Sequence, residues 1–246
     1  MRNSLYILLC VFVLIACKKQ EQEVPIDPNT GCSNCLPSYA TTFSGIFKAG
    51  SYTVTGAAIS TSISNRVSAF FSSTVVTVPS VANSITVSSV YFNDDTLTYS
   101  GAPYYYTNLS SVVLSPVSWT VNGASTIPSF TYKNLKEKPQ YGTMTNWPDT
   151  ISKGIGFTFS IYDLNYITGA SVLISDGLPI PNVTTKALGL GSDTLTFSST
   201  DLSSMSTSTN AIITLIMENS HAIKIDNKDF KMSNESSYSR KIVIKN

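Results

Sequence analysis

The chain has 246 residues, of which 42% are hydrophobic and only 13% charged, with 16 basic residues set against 15 acidic ones and a single histidine. So even a balance gives no electrostatic reason for a polyanionic partner, and nucleic acid is excluded as the expected ligand. The length suits one large or two ordinary domains, and the dominance of Ser, Thr, Val, Ile and Tyr over strong helix formers points to strands.

In chain order, Arg2 precedes an apolar run from Leu5 to Ala16. About a dozen residues fall short of the ~20 that cross a bilayer as a helix, so the run reads as a signal peptide. It ends in Leu14-Ile15-Ala16-Cys17. This ending resembles the bacterial lipobox, and the resemblance implies cleavage before Cys17, acylation of that cysteine and attachment to a membrane. One acyl chain anchors marginally, whereas several anchor durably. The stretch "KKQEQEVPIDPNTG" is polar and carries two prolines, so it reads as a tether. Its Lys18, Lys19, Glu21 and Glu23 are similar to the charged signals of surface lipoproteins of Bacteroidota, which implies an outer-membrane protein at the cell surface or on the periplasmic face.

Cys32 and Cys35 form a CxxC pair within the tether. Such a pair is a redox couple, half of a zinc site or a local disulfide. Zinc needs two more ligands from a chain with one histidine, and a thioredoxin-like couple needs to open a helix within a βαβ unit. The local disulfide, stiffening the tether, is the favoured reading.

From Thr41 the sequence alternates. "TTFSGIF" and "SYTVTG" read as two strands parted at Ala49-Gly50, and "SITVSSVYF" places Ile85, Val87 and Tyr91 on one face. In "SPVSWTVNG" Val117, Trp119 and Val121 alternate with polar residues, which predicts Trp119 in a core, and Asn122-Gly123 marks a turn before "SFTYKN". Asp94 and Asp95 read as a turn, with a weak calcium site as the alternative. The charged, proline-bearing "KNLKEKPQYGTMTNWPDT" predicts a domain boundary near Lys136, with Trp147 packing the junction.

Beyond it, "GIGFTFSIYDL" sets Ile155, Phe157, Phe159 and Ile161 in alternation. "ASVLIS", "DTLTFS", "AIITLIM", "HAIKID", "DFKMS" and "RKIVIKN" follow as further strands, with Leu202 and Met205 expected to plug the open end of a sandwich. The expected architecture is all-β: a signal peptide over 1–16, an acylated tether over 17–39, a β-sandwich domain over 40–135 and an immunoglobulin-like or fibronectin-like β-sandwich over 136–246. Taken together it resembles the two-domain β-sandwich surface lipoproteins of Bacteroidota.

Residues for catalysis are scarce. His221 falls in "MENSHAIKID" between two strand-like runs, where Asn and Ser suggest an exposed hairpin turn. No GxSxG, Walker or dinucleotide glycine motif is present. Asp94 and Asp95 are neighbours and point apart on a strand, so they cannot flank one glycosidic bond. Asp163, Asp176, Asp193, Asp201, Asp226 and Asp229 fall at loop-like positions and discriminate nothing. A non-enzyme is expected, with neither cofactor nor metal.

Aromatic residues carry more. Tyr104, Tyr105 and Tyr106 follow one another beside Pro103, and consecutive strand residues cannot all face inward, so the run is a candidate ligand-binding surface. An exposed tyrosine suits stacking on a sugar ring or anchoring a protein interface. Packing of two rings into the core is the plain alternative. Thr96, Thr150 and Thr194 each stand in an Asp-Thr-aliphatic triplet similar to the O-glycosylation sequon of Bacteroidota, which would make them acceptors. Two functions compete: a surface binding module for glycan or another envelope ligand, and a structural or assembly lipoprotein that binds another envelope protein.

Overall fold

A computed structural model describes residues 41–56, 59–99, 105–108, 114, 117–134, 138–189 and 191–246. Cys17, Cys32, Cys35 and Tyr104 lie outside the described residues, and Tyr105 and Tyr106 are described by their backbone alone. Fifteen strands are present among the described residues. They are β1 (Phe43–Gly56), β2 (Ile59–Val76), β3 (Ser89–Phe92), β4 (Asp95–Thr96), β5 (Tyr105–Asn108), β6 (Val117–Asn122), β7 (Phe130–Asn134) and β8 (Thr143–Thr145). The chain continues with β9 (Thr150–Ser152), β10 (Phe157–Tyr162), β11 (Gly169–Ser175), β12 (Val183–Leu188), β13 (Thr194–Phe197), β14 (Ser208–Ile225) and β15 (Lys228–Lys245).

The hairpin β14–β15 is the spine. Each strand has 18 residues, which at ~3.3 Å per residue is about 60 Å of ladder. Asp226 and Asn227 join them, both at positive φ (47° and 60°), as the two central residues of a type I′ turn must be. Around this spine the large sheet runs β12-β11-β14-β15-β1-β2-β5, with β9 continuing the line of β1 along the far end of β15. Both β1 and β9 pair with β15 in parallel.

Side chains along β14 alternate without a slip from Ala211 to Ile225. Ala211, Ile213, Leu215 and Met217 lie in one core and Ile223 and Ile225 in another. Because all are odd positions of one strand, both cores sit on the same face of the large sheet. The sheet β4-β3-β6-β7 covers one end of that face, and β13-β10-β8 covers the other. The first core is built on rings: Phe47 meets Phe71, Trp119 and Phe130 edge to face at centroid distances of 5.3, 5.1 and 5.7 Å. The second is mostly aliphatic, with Leu202 and Met205 buried in it.

The all-β sandwich expected from the sequence is present, and Val117, Trp119 and Val121 are buried as alternation predicts. Several strand boundaries are corrected. "TTFSGIF" and "SYTVTG" form one strand, "AIITLIM" and "HAIKID" one strand, and "DFKMS" and "RKIVIKN" one strand. Their polar or glycine-bearing middles, "AGS", "ENS" and "SNESS", share one belt of the sheet between the two cores. Inside a wide sheet the ladder on both sides holds such residues extended despite their turn propensity. Val90 and Phe92, not Tyr91, face the first core, and Ile155 is 83% exposed in the turn before β10. The β14–β15 tip carries Ile223, Phe230 and Met232 into the first core, so residues from beyond position 136 complete the sandwich begun by residues before it.

Candidate functional site

Period-two alternation sorts the polar middle of the large sheet onto two faces. On the open face, opposite the small sheets, register pairs Lys48 with Ser68 and Ser233, and Gly50 with Arg66 and Glu235. Glu218 stands directly opposite Glu235 across β14 and β15. One row therefore reads Arg66, Gly50, Glu235, Glu218 over four adjacent strands. Like charges facing each other across a ladder destabilise it, and the neighbouring row supplies the compensation. Lys48 contacts the Glu235 carboxylate. Lys231 Nζ lies 2.8 Å from Glu218 Oε1, and Ser233 Oγ donates to the same oxygen at 2.8 Å. Burial opposes the charge on Glu218, yet the hydrogen bonds from Lys231 and Ser233, with the Lys231 and Lys48 ammonium groups nearby, hold its carboxyl below the usual range.

Gly50 sets the shape of this face. A Cβ there would fall 2.6 Å from the Tyr52 hydroxyl and 2.8 Å from the ring, so the Tyr52 ring lies folded back over the bare glycine backbone. The aromatic covers the gap in the sheet that the glycine leaves. Arg66, the cross-strand partner of Gly50, places its guanidinium over the same ring, 5.5 Å from the centroid. At that distance the guanidinium and the ring make a cation–π contact.

Residues 77–79 fold back beside these strands. They and the sheet enclose an open groove of about 540 Å³ lined by Lys48, Tyr52, Arg66, Ser68, Glu218, Lys231, Ser233 and Glu235, with Ile46, Thr77, Val78 and Pro79. That volume is in the range of small-ligand sites. Three cations and two carboxylates line it, leaving an excess of one positive charge. Facing carboxylates are the arrangement by which glycosides are hydrolysed, but that chemistry needs one of them protonated as the acid. Glu218 is held ionised, which suits accepting hydrogen bonds and not donating a proton.

The covered face differs. In the belt between the two cores a smaller, open pocket of about 260 Å³ is lined by Ser51, Gln140, Tyr141, Ser236 and Tyr238 among others. Asn234 is 5% exposed, and among the described residues neither its Nδ2 nor Ser236 Oγ has a hydrogen-bond partner. The rings of Tyr141 and Tyr238 meet edge to face at 5.3 Å, and burial, together with the hydrogen bond to Tyr238, pushes the Tyr141 phenol well above its usual pKa. His221 also lies on this face. It is not in an exposed turn, as its sequence context suggests, but half-buried in β14 with its Nε2 against the Tyr132 hydroxyl. Tyr132 belongs to the first core, so the histidine ties the spine to the small sheet.

The other sequence candidates are dispersed. Asn93 and Asp94 have positive φ (46° and 71°) and form the turn, one residue earlier than the Asp94-Asp95 turn expected, and Asp95 opens β4. Asp176 is fully buried and accepts hydrogen bonds from Leu178 N, Asn182 N, Asn182 Nδ2 and Ser206 N, which fix the loop between β11 and β12. Asp201 pairs with Lys186 at 2.6 Å, and the hydrogen bonds from Lys186 and Ser198 bring its pKa down to about 2. Among the described residues no three His, Cys, Asp or Glu side chains are grouped to hold a metal ion. Thr96, Thr150 and Thr194 are exposed in their strands, and each precedes a buried aliphatic residue, Leu97, Ile151 or Leu195. Trp147 packs against Phe159 of the second core, centroids 5.1 Å apart. The Tyr106 backbone pairs with Ser68, in the row that continues to Lys48 and Ser233.

Reading the sequence missed the groove. The chain has five glutamates, and the last two, Glu218 and Glu235, are the ones that face each other. Their presence in a chain so poor in charge, each inside a strand-forming stretch, was the available signal. No family model matches the chain, and no curated protein matches it.

Proposed function

We propose that this chain is a non-enzymatic binding module, anchored through acylated Cys17 to the outer membrane and displayed at the cell surface, which holds a glycan or another envelope ligand in the open-face groove. One observation carries the reading: charged side chains of both signs paired against each other, with a Tyr52–Arg66 cation–π contact, in a groove of about 540 Å³. Polyhydroxylated ligands are recognised by planar, charge-assisted donors and acceptors held rigid in advance, because each hydroxyl can donate to a carboxylate and accept from an ammonium or guanidinium group. Mutual ion pairing supplies the rigidity, which limits the entropy lost on binding. The Tyr104–Tyr106 run extends this reading through β5, whose backbone lies next to β2 at the margin of the groove. Lipidation at Cys17, a disulfide between Cys32 and Cys35 and glycosylation at Thr96, Thr150 and Thr194 belong to the same proposal, and intact mass of envelope-purified protein tests all three.

The test of the groove is a binding screen of residues 38–246 against a broad glycan panel, beside Lys48→Ala and the triple Tyr104→Ala, Tyr105→Ala, Tyr106→Ala variant. Binding weakened at least tenfold by Lys48→Ala places the ligand in the groove. Binding lost only in the tyrosine variant moves the site to β5.

Docking of another envelope protein is the second reading. Ile180 at 89% and Val183 at 49% exposure, in and after the loop that Asp176 fixes, favour it. Crosslinking in the native envelope with a photoreactive residue at position 180 would yield an adduct if it holds, and free saccharides would not compete.

A further inference from the structure

We infer that the ligand of the groove is an acidic saccharide, bearing carboxylate or sulfate groups, and that Arg66 is the residue that receives its oxyanion. The inference rests on the binding-module reading and narrows its ligand class. Of the three groove cations, Lys48 and Lys231 are each committed to a glutamate. Among the described residues Arg66 has no acidic partner, and its guanidinium lies over the Tyr52 ring. The other described arginine, Arg240, is paired with Asp149. In a chain with just three arginines, leaving one exposed guanidinium without a carboxylate while building two lysine–glutamate pairs beside it makes it the open position of the groove.

Geometry favours an oxyanion at that position. A guanidinium presents its N–H donors in a planar fork that matches two oxygens of a carboxylate or sulfate. Arg66 is exposed, so its donors stay open to that contact while the Tyr52 ring centroid lies 5.5 Å from the guanidinium carbon. Gly50 is what permits this arrangement, because any side chain there would displace the Tyr52 ring. Gly50 also separates Arg66 from Glu235 by one strand. The two groups are therefore two strand spacings apart, ~10 Å, which is about one screening length in ordinary salt. Repulsion from Glu235 on an anion at Arg66 is accordingly weak. Lys48, in the adjoining row of β1, adds attraction.

The probes are uronic-acid oligosaccharides, each beside its carboxyl-reduced counterpart, and sulfated galactan oligosaccharides, each beside its desulfated counterpart, titrated into residues 38–246. One charged member is expected to bind at least tenfold more tightly than its neutral partner, and the gap should narrow as salt is raised. Arg66→Gln should abolish the gap, Arg66→Lys should keep part of it, and Gly50→Ala should shrink it by loosening the ring beneath the guanidinium. Whether the uronate or the sulfate series shows the gap identifies the source of the oxyanion. Equal binding of charged and neutral members, or a gap that survives Arg66→Gln, overturns the inference while leaving the saccharide reading intact. Silence from every saccharide, charged and neutral, overturns both. Arg66 is exposed, so an unchanged melting temperature for Arg66→Gln controls for folding.

Discussion

At its middle the large sheet has two polar faces, and they are satisfied differently. On the open side Glu218, Glu235, Lys48 and Lys231 neutralise one another within contact distance. On the covered side, equally central, Asn234 and Ser236 carry polar atoms with no hydrogen-bond partner among the described residues. Solvent explains part of the contrast, since charges are cheaper where water can still reach them. Charge completes it: the open face carries both signs at adjoining positions, so its groups can pair with one another, whereas Asn234 and Ser236 on the covered belt offer a neutral amide and a neutral hydroxyl.

If both faces belong to one cooperative body, damage to one core is felt in the other. Phe47 is fully buried amid four aromatic neighbours of the first core. Phe47→Ala should lower stability by about 3–5 kcal/mol. Trp119 reports the first core and Trp147 the second, so single-tryptophan variants separate them. Because β14 and β15 build both cores, denaturant midpoints read by either fluorophore should fall together. A midpoint that moves only for Trp119 would mean two independently folding units.

Next comes the ion network. Lys48→Met leaves the Glu235 carboxylate, whose side chain is 9% exposed, without its ammonium partner. Loss of about 1–3 kcal/mol is expected for an unpaired, mostly buried charge, and Lys48→Met with Glu235→Leu should recover most of it. If the single substitution is silent, the open-face pairs are ornamental and the comparison loses its sharper half.

Acid should expose the same network more gently. The folded pKa of Glu218 lies below its unfolded value, so its stabilisation is complete above the ordinary glutamate pKa of ~4.3 and disappears as pH falls through the lower folded value. The wild-type protein should exceed Glu218→Gln in melting temperature at pH 7, with the difference vanishing in stronger acid. A difference that persists unchanged at low pH would mean that the carboxylate charge is irrelevant.

Smallest of all should be the covered face. Asn234→Ala removes an amide whose Nδ2 already lacks a partner among the described residues, and a change within about 0.5 kcal/mol is expected, of either sign. A loss several times larger would show that an ordered water satisfies the group and that the two faces are more alike than their direct contacts suggest.

Much of the fold was legible because burial imposes a period of two wherever a core lies beneath. Val117, Trp119 and Val121, or Phe159 and Ile161, announce themselves. The belt between the cores was not legible for the same reason: with no core beneath "ENS" or "SNESS", no apolar alternation marks the strand, and Asn and Ser are read for their turn propensity. The candidate site occupies that unmarked belt. Glu218 and Glu235 are 17 positions apart in sequence, and only the β14–β15 register brings them face to face. The Tyr52–Gly50–Arg66 arrangement also needs a pairing between β1 and β2 that their sequences do not specify.

The parallel seating of β1 against β15 has a mechanical side. β1 is flanked on one edge by β15 over residues 45–55 and on the other by β2 over nearly the same span, and ladder hydrogen bonds run across the strand axis. A tension drawn through the N-terminal end of β1 therefore acts along the strand and loads both ladders in shear, with all their bonds resisting at once. A strand peeled from one end would yield bond by bond. The strand that carries Lys48 and Gly50 into the groove is thus also the one placed to resist a pull along its own axis.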